Sequence, residues 1–482
     1  MKARKFLLAG LTAGLALTVA SCGGSKRSAN YVVPEEFDTE KEMTIKFSHT
    51  MGKDLQATLQ AAIDQFEADY PNVKIDAKSI GGYDDVRKQI VTQIPQGLEP
   101  HIAYCYPDHV ALYNRANAVI QLDNLINDPN FGFTEEELDD FIPGFYEEGR
   151  QFGDGFMYTL PFSKSTEVLY YNKTEFEKNG WDVPTTWQDM MSLCDTIRLK
   201  TKDDNTLKYP NCYPLGIDSE ANLFITLCEQ TGSKYTSATG NHYLFDNAEN
   251  RSYVEQFRDW FKDGNFTTQG ILNTYTSSLF TAASETAYNS TETDQEKIVR
   301  YSLMSIGSTG GASHQYPTAS KAFEVGVAAV PTWEGGEFKV ISQGPSLCLF
   351  NKKDPQEVLA AWIFVKNYLL TTNFQAAFSK TSGYNPVLQS TYTKGILAGA
   401  GESGEDILYS DWLNSGKGTS ADGLIALTAK TSREFIDNYF TSPAFNGSST
   451  ARDQVGDLFV AVISGTKSTN EAFKDALLEC ED

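Results

Sequence analysis

Between residues 43 and 106 the apolar positions alternate between two periods. Residues 43–47 alternate as a half-buried strand does. Residues 54–70 place Leu55, Leu59, Ala62, Ile63 and Phe66 at helical spacing, and Pro71-Asn72 stops the run. Residues 73–75 read as a strand, 83–94 as a helix and 102–106 as a short strand. After Leu160 the alternation resumes: strand 168–171, helix 187–198, strand 215–217, then helices 221–231 and 253–262. Strands 325–330 and 346–350 follow, and then a helix over 355–370 with Leu359, Trp362, Ile363 and Val365 on its buried side. Strands separated by helices imply right-handed crossovers and mostly parallel sheets. The polar stretches 232–250 and 395–419 read as surface loops.

The first residues follow another rule. Lys2, Arg4 and Lys5 precede an apolar run from Phe6 to Val19 and then Ala20-Ser21-Cys22, the pattern of a secretory signal peptide and too short for a spanning helix. Val19-Ala20-Ser21-Cys22 also resembles the bacterial lipobox, which would make Cys22 the lipidated first residue of the mature chain; the alternative is a plain signal peptide with a free Cys22. Residues 23–42 are polar and read as a flexible spacer. Roughly 460 residues remain, too many for one ordinary core and suited to two lobes. The formal charge is −23 and becomes about −26 without the three leading positives, which argues against nucleic acid and anionic membrane surfaces as partners. It leaves room for a small anion in a local basic pocket.

Catalytic and metal signatures are scarce. The five histidines, His49, His101, His109, His242 and His314, have no ligand spacing, and no CxxC, GxSxG or GxxxxGK[ST] motif occurs. Six cysteines beyond Cys22 are too few for a disulfide framework and read mostly as apolar fillers. One GxGxxG, Gly399 to Gly404, follows no clear strand and reads as loop. Paired carboxylates of a hydrolase stay possible in so acidic a chain, since that geometry is spatial.

The order of several weaker motifs is more informative. Phe47-Ser48-His49-Thr50-Met51, FEADYPNVKI from Phe66, GLEPHI from Gly97, LPFSKSTEVLYYNKTEF from Leu160, VPTTW ending at Trp187 and SGYNP from Ser382 follow one another in an order that resembles the extracellular solute-binding proteins that feed ABC importers. The chain resembles that family over nearly its whole mature length, and it is most similar to the glycerol-3-phosphate-binding branch, which also takes glycerophosphodiesters. The resemblance implies a two-lobed periplasmic-binding-protein-like α/β fold with a multi-strand hinge. It also implies a monomer without cofactor or metal that hands its ligand to ABC permease subunits from the outer face of the membrane. Its divisions would be a signal peptide (1–21), a lipidated linker (22–42), a first lobe (43–157 with about 315–375) and a second lobe (about 160–310 with 385–482). Leu160 to Thr166 would cross between lobes, so its polar cluster would line the cleft.

Carried over by position, the ligand contacts fall on Tyr83, Ser165, Trp187, Ser308, Gly344 through its amide, Tyr384 and Arg452. The family's glutamate after the third strand is replaced by Pro107-Asp108, where Asp108 would accept from glycerol hydroxyls. A guanidinium, hydroxyls and an open amide are what a phosphate needs. The bland alternatives are a surface tyrosine at Tyr83, a core anchor at Trp187 and a surface arginine at Arg452. Against the phosphorylated polyol stand an oligosaccharide ligand, a secreted hydrolase and an adhesion module.

Overall fold

The computed structural model describes residues 30–317 and 323–481; the expected signal peptide and Cys22 lie outside the described residues. Its strands in chain order begin with β1 (Met43–His49), β2 (Val73–Ser79), β3 (Ile102–Cys105), β4 (Leu160–Pro161), β5 (Glu167–Asn172), β6 (Cys212–Ile217), β7 (Phe266–Thr268), β8 (Tyr301–Ser308), β9 (Val325–Ala329), β10 (Val340–Ile341) and β11 (Ser346–Leu349). One five-stranded sheet has the order β2-β1-β3-β11-β4, a second β7-β6-β8-β5-β9, and helices flank both. Each sheet builds its own lobe.

Parallel pairing is confined to part of each sheet, a departure from the mostly parallel expectation. β1 runs parallel to β2 and β3, and β6 to β7 and β8, whereas β11 is antiparallel to β3 and β4, and β5 to β8 and β9. The cause is the hinge. β5 and β11 each enter from the opposite lobe, so they start at the end where β3 and β8 finish: Glu167 opposes Ser308, and Ser346 opposes Cys105.

The sheets also move a boundary. β9 pairs with β5 over Val168 to Asn172, so residues 325–329 belong with the second sheet, β10 pairs with Tyr439–Phe440, and the chain returns to the first sheet only between Ile341 and Ser346. The expected return near residue 315 is corrected accordingly. A single strand's apolar run does not say which sheet it will join.

Local patterning explains the elements themselves. Helix α1 (Lys53–Asp69) buries Leu59, Ala62, Ile63 and Phe66 on one face. In helix Pro355–Phe364, Trp362 is fully buried and its indole N–H donates to the Phe131 carbonyl at 2.8 Å. The polar stretch 395–419 is more ordered than its composition suggests: Ile396–Leu397 pairs with Ile407–Leu408, and helix Tyr409–Ser415 buries Tyr409 and Trp412. The spacer expectation fails for its second half. Tyr31 is buried with its hydroxyl on the Pro355 carbonyl at 2.6 Å, and Lys41 pairs with Asp354 at 2.5 Å, which seats residues 31–41 on the first lobe. All six cysteines of the described residues are free thiols, and only Cys212 is not fully buried.

Candidate functional site: the cleft and its hinge

Three segments are laced together where the lobes meet. Ser165 and Gln343 exchange backbone hydrogen bonds at 2.8 and 2.7 Å, while Lys164 and Asn385 do the same on the other side of the crossing strand at 3.2 and 2.5 Å. Gly344 has φ +92°, and a Cβ there would sit 2.3 Å from the Ser163 carbonyl oxygen. Only glycine permits this approach. Lys164 is 0 % exposed, and its ammonium meets the Glu148 carboxylate, the Gly344 carbonyl at 3.1 Å and the Ser346 hydroxyl at 3.0 Å. A charge so deeply buried persists only when its donors are satisfied in this way.

Above the hinge is a cavity of about 200 Å³ that both lobes line. The first lobe contributes Tyr83 and Arg87 from helix α2 (Tyr83–Gln93) and Asp108 from helix α3 (Pro107–Tyr113). Gly81 turns with φ +107° and the Gly82 amide donates to the Asp85 carboxylate at 2.9 Å, so α2 starts at Tyr83, and Arg87 follows one turn later on the same face. Pro107 occupies the first turn of α3, where its missing N–H costs nothing, and this sets Asp108 at the cavity wall. From the second lobe come Tyr235 and the first turns of helix Ser448–Ile463, with Ser448, Ser449, Arg452 and Asp453. A helix start presents free amides and a partial positive charge. The hinge supplies Ser342 and Gln343, and the buried hydroxyls of Ser342 and Ser442 line the cavity without a hydrogen-bond partner among the described residues.

Arg452 is held by an amide relay. Its guanidinium donates to Asn222 Oδ1, and Gln343 Nε2 donates to the same oxygen at 2.6 Å. Asn222 Nδ2 in turn donates to Glu167 Oε1 and Gln343 Oε1, each at 2.9 Å. Burial pushes the Glu167 carboxyl up to about 7, against the Asn222 hydrogen bond and the Arg452 charge, which pull it down. Arg87 bonds the Ser449 hydroxyl across the cleft and lies 2.9 Å from Asp84 and 4.0 Å from Asp453. Burial raises Asp453, and Asp84 and Asp108 add to it. Burial likewise raises the phenols of Tyr83, Tyr106 and Tyr235, which stay protonated and able to donate.

The residues expected at the ligand fall into three groups. Tyr83, Asp108 and Arg452 line the cavity together. Tyr384, Ser308, Ser165 and Gly344 sit beside it: the Tyr384 hydroxyl is 3.3 Å from that of Tyr83, and its ring covers Gly310, two residues past Ser308. Ser308 Oγ accepts from the Gly310 amide at 3.2 Å, Ser165 is buried in the hinge pairing, and the Gly344 carbonyl accepts from Lys164. Trp187 is apart from all of these. It is 2 % exposed in the second core, edge-on to Phe257 at 5.1 Å, so the core-anchor alternative describes it. Its Thr186 cap, which accepts from the Asp189 amide at 3.0 Å, turns the indole into the lobe. Sequence reasoning missed Arg87, Tyr106, Asn222, Tyr235 and Gln343. Arg87 was within reach, four residues after Tyr83 on the same helix; nothing local marks Asn222 or Gln343.

The chain is similar to several known proteins. The sn-glycerol-3-phosphate-binding periplasmic protein UgpB of Yersinia pestis bv. Antiqua (strain Antiqua) is 24% identical over 356 residues, 72% of this chain and 75% of that protein. UgpB of Escherichia coli (strain K12) is 27% identical over 158 residues, 32% of this chain and 35% of its own length. Among solved structures, the cyclic alpha-maltosyl-1,6-maltose binding protein from Arthrobacter globiformis superposes with TM-score 0.62 at 18% identity, covering 91% of this chain and 97% of that one. UgpB from Mycobacterium tuberculosis in complex with glycerophosphocholine gives 0.63 at 14% identity with coverage of 91% and 97%. These likenesses confirm the two-lobed fold. Residues 61–399 match the profile of the bacterial extracellular solute-binding proteins, and it is to this family that the chain belongs.

Proposed function

We propose that the protein captures a phosphorylated polyol, glycerol 3-phosphate or a glycerophosphodiester, by closing its lobes, and delivers it to ABC permease subunits while anchored to the outer face of the cell membrane through a lipidated Cys22. The observation that carries the reading is convergence: Arg87 from one lobe and Arg452 from the other line one small cavity together with the first turn of helix Ser448–Ile463. Two guanidiniums and a helix start form a cradle for an anionic oxygen cluster. Asp108 and the Ser342 and Ser442 hydroxyls, which have no partner among the described residues, suit the polyol end. Ligand touches both lobes only when they are closed, so it shifts that equilibrium by its differential affinity. No bond is made or broken.

Charge-assisted hydrogen bonds contribute about 1.5–3 kcal/mol each. Arg452→Ala is therefore expected to weaken glycerol 3-phosphate binding about 10- to 150-fold in titration calorimetry, with the melting temperature of the free protein nearly unchanged. A second reading, an oligosaccharide ligand, is favoured by the carboxylates Asp84, Asp108, Glu148 and Asp453 and by Tyr83, Tyr106 and Tyr235 around the same cavity. Carboxylates accept from sugar hydroxyls and phenyl faces stack on sugar rings. Heat with maltose alone, unaffected by Arg452→Ala, would select that reading and remove the phosphate.

A further inference from the structure

Asparagine followed directly by glycine occurs twice in the chain, at Asn179-Gly180 and at Asn446-Gly447, and the fold treats the two pairs in opposite ways. The first pair is locked. The Asn179 amide nitrogen donates to the Glu175 carbonyl at 2.6 Å and to the Tyr209 hydroxyl at 2.9 Å, and its oxygen accepts from Lys200 at 2.6 Å and Lys208 at 2.7 Å. The Gly180 amide donates to the Glu177 carbonyl at 3.3 Å. The second pair is open. Asn446 is exposed, and neither its side-chain amide nor the Gly447 N–H has a hydrogen-bond partner among the described residues, although the Ser448 amide just beyond donates to the Phe445 carbonyl at 3.0 Å. Only glycine fits at position 447: φ is +108°, and a Cβ there would lie 2.3 Å from the Tyr243 hydroxyl oxygen. The turn that starts helix Ser448–Ile463 thus demands the one residue that leaves a preceding asparagine unshielded.

We propose that Asn446 is a self-modification site, converting to aspartate and isoaspartate through a cyclic imide formed with Gly447. Hydroxide takes the Gly447 N–H proton, and the nitrogen attacks Asn446 Cγ. That C–N bond forms, the bond from Cγ to Nδ2 breaks, and ammonia leaves. Water then opens the imide at either carbonyl, giving an α-linked aspartate or a β-linked isoaspartate. Water enters and ammonia departs, so no oxidant is needed. The place gives the reaction a consequence. Asn446 lines the mouth of the cleft with Arg87 and Ser449, and the helix behind it carries Ser448, Ser449 and Arg452 to the cavity. Conversion puts a carboxylate in the space that Arg87 lines. The β-linked form also adds a methylene to the main chain just before the helix, where the Ala451 amide rests on the Gly447 carbonyl at 2.9 Å. Both changes oppose an anion held by the two guanidiniums. The effect on affinity rests on the phosphate reading of the cleft; the modification itself does not.

Ageing of the full mature protein at pH 6 and pH 8, followed by peptide mapping in a mass spectrometer, tests the site without any ligand. Asn446 is expected to convert about tenfold or more faster than Asn179, whose hydrogen bonds must open first, and faster at pH 8 than at pH 6. In urea the two asparagines should convert at similar rates, which assigns the difference to the fold. Calorimetry with glycerol 3-phosphate then reads the consequence: aged protein should bind about two- to fivefold more weakly, the size of one exposed charge interaction, while Asn446→Gln aged alongside keeps the affinity of fresh protein. Equal conversion of the two asparagines in the folded protein, or Asn179 ahead, would overturn the site. Full conversion with unchanged affinity would overturn its effect on the cleft. Fresh protein that takes up no glycerol 3-phosphate would overturn the phosphate reading instead, with the site still decided by the peptide map.

Discussion

Lys164 shows how much one side chain can commit. Its ammonium is sealed with Glu148 inside the strand that joins the lobes. Removing one partner leaves a buried charge unmatched, which costs about 3–5 kcal/mol. Lys164→Ala is expected to lower urea stability by that amount, and the double change Lys164→Met with Glu148→Leu to recover most of it. Glu167 makes the opposite kind of statement through pH. Its carboxyl rises from 4.5 to about 7 because it is buried, so the folded chain holds that proton more tightly than the unfolded one. Its contribution favours folding below pH 4.5 and is lost as pH rises through 7. Glu167→Gln is therefore expected to flatten that slope and to stabilise the protein at pH 8 by on the order of 2–3 kcal/mol, read from denaturant melts at pH 5 and pH 8. His101 slopes the other way. Despite Glu357 at 3.3 Å it stays neutral, because burial and the nearby Lys352 and Lys46 lower it to about 4 and its Nδ1 already accepts from the Lys46 amide.

At the scale of elements the hinge is the informative part. Gly344→Ala would place a methyl against the Ser163 carbonyl and force a side chain to adopt φ +92°. The expected cost exceeds about 1 kcal/mol, with loss of cooperative unfolding between lobes, measured by calorimetric scanning. Elements with one buried face were legible: α1 announces its buried stripe in Leu59, Ile63 and Phe66, and α2 its start in the Gly81-Gly82 turn. The sheet that β9 joins was not, because Val325 to Ala329 is apolar enough for either lobe and its partner β5 lies about 155 residues earlier. The polar run 395–419 concealed helix Tyr409–Ser415, whose few apolar residues are all at its buried face. The site shows the same division. Tyr83, Asp108 and Arg452 carry their chemistry on their own side chains, whereas Asn222 and Gln343 matter only because the fold sets them between Glu167 and the guanidinium. Trp187 was expected in the cleft from the VPTTW motif, yet it packs in the second core against Phe257.

For the whole molecule, closure has contacts of its own. Arg87 of the first lobe meets Ser449 and approaches Asp453 of the second across the cleft. These bonds bias the lobes toward the closed arrangement before a ligand adds its share. Arg87→Ala is expected to enlarge the radius of gyration of the ligand-free protein in X-ray scattering, with saturating ligand restoring the compact value. An unchanged radius would mean that the hinge pairing alone sets the angle.

The anchoring of Tyr31 to Pro355 has a geometric corollary for a chain held at Cys22. Only nine peptide links separate those two positions, and at full extension each spans roughly 3.5 Å. The leash is thus about 30 Å at most, comparable to a bilayer's own hydrocarbon thickness. For a chain so held, the Tyr31 side of the first lobe would stay within that reach of the membrane surface.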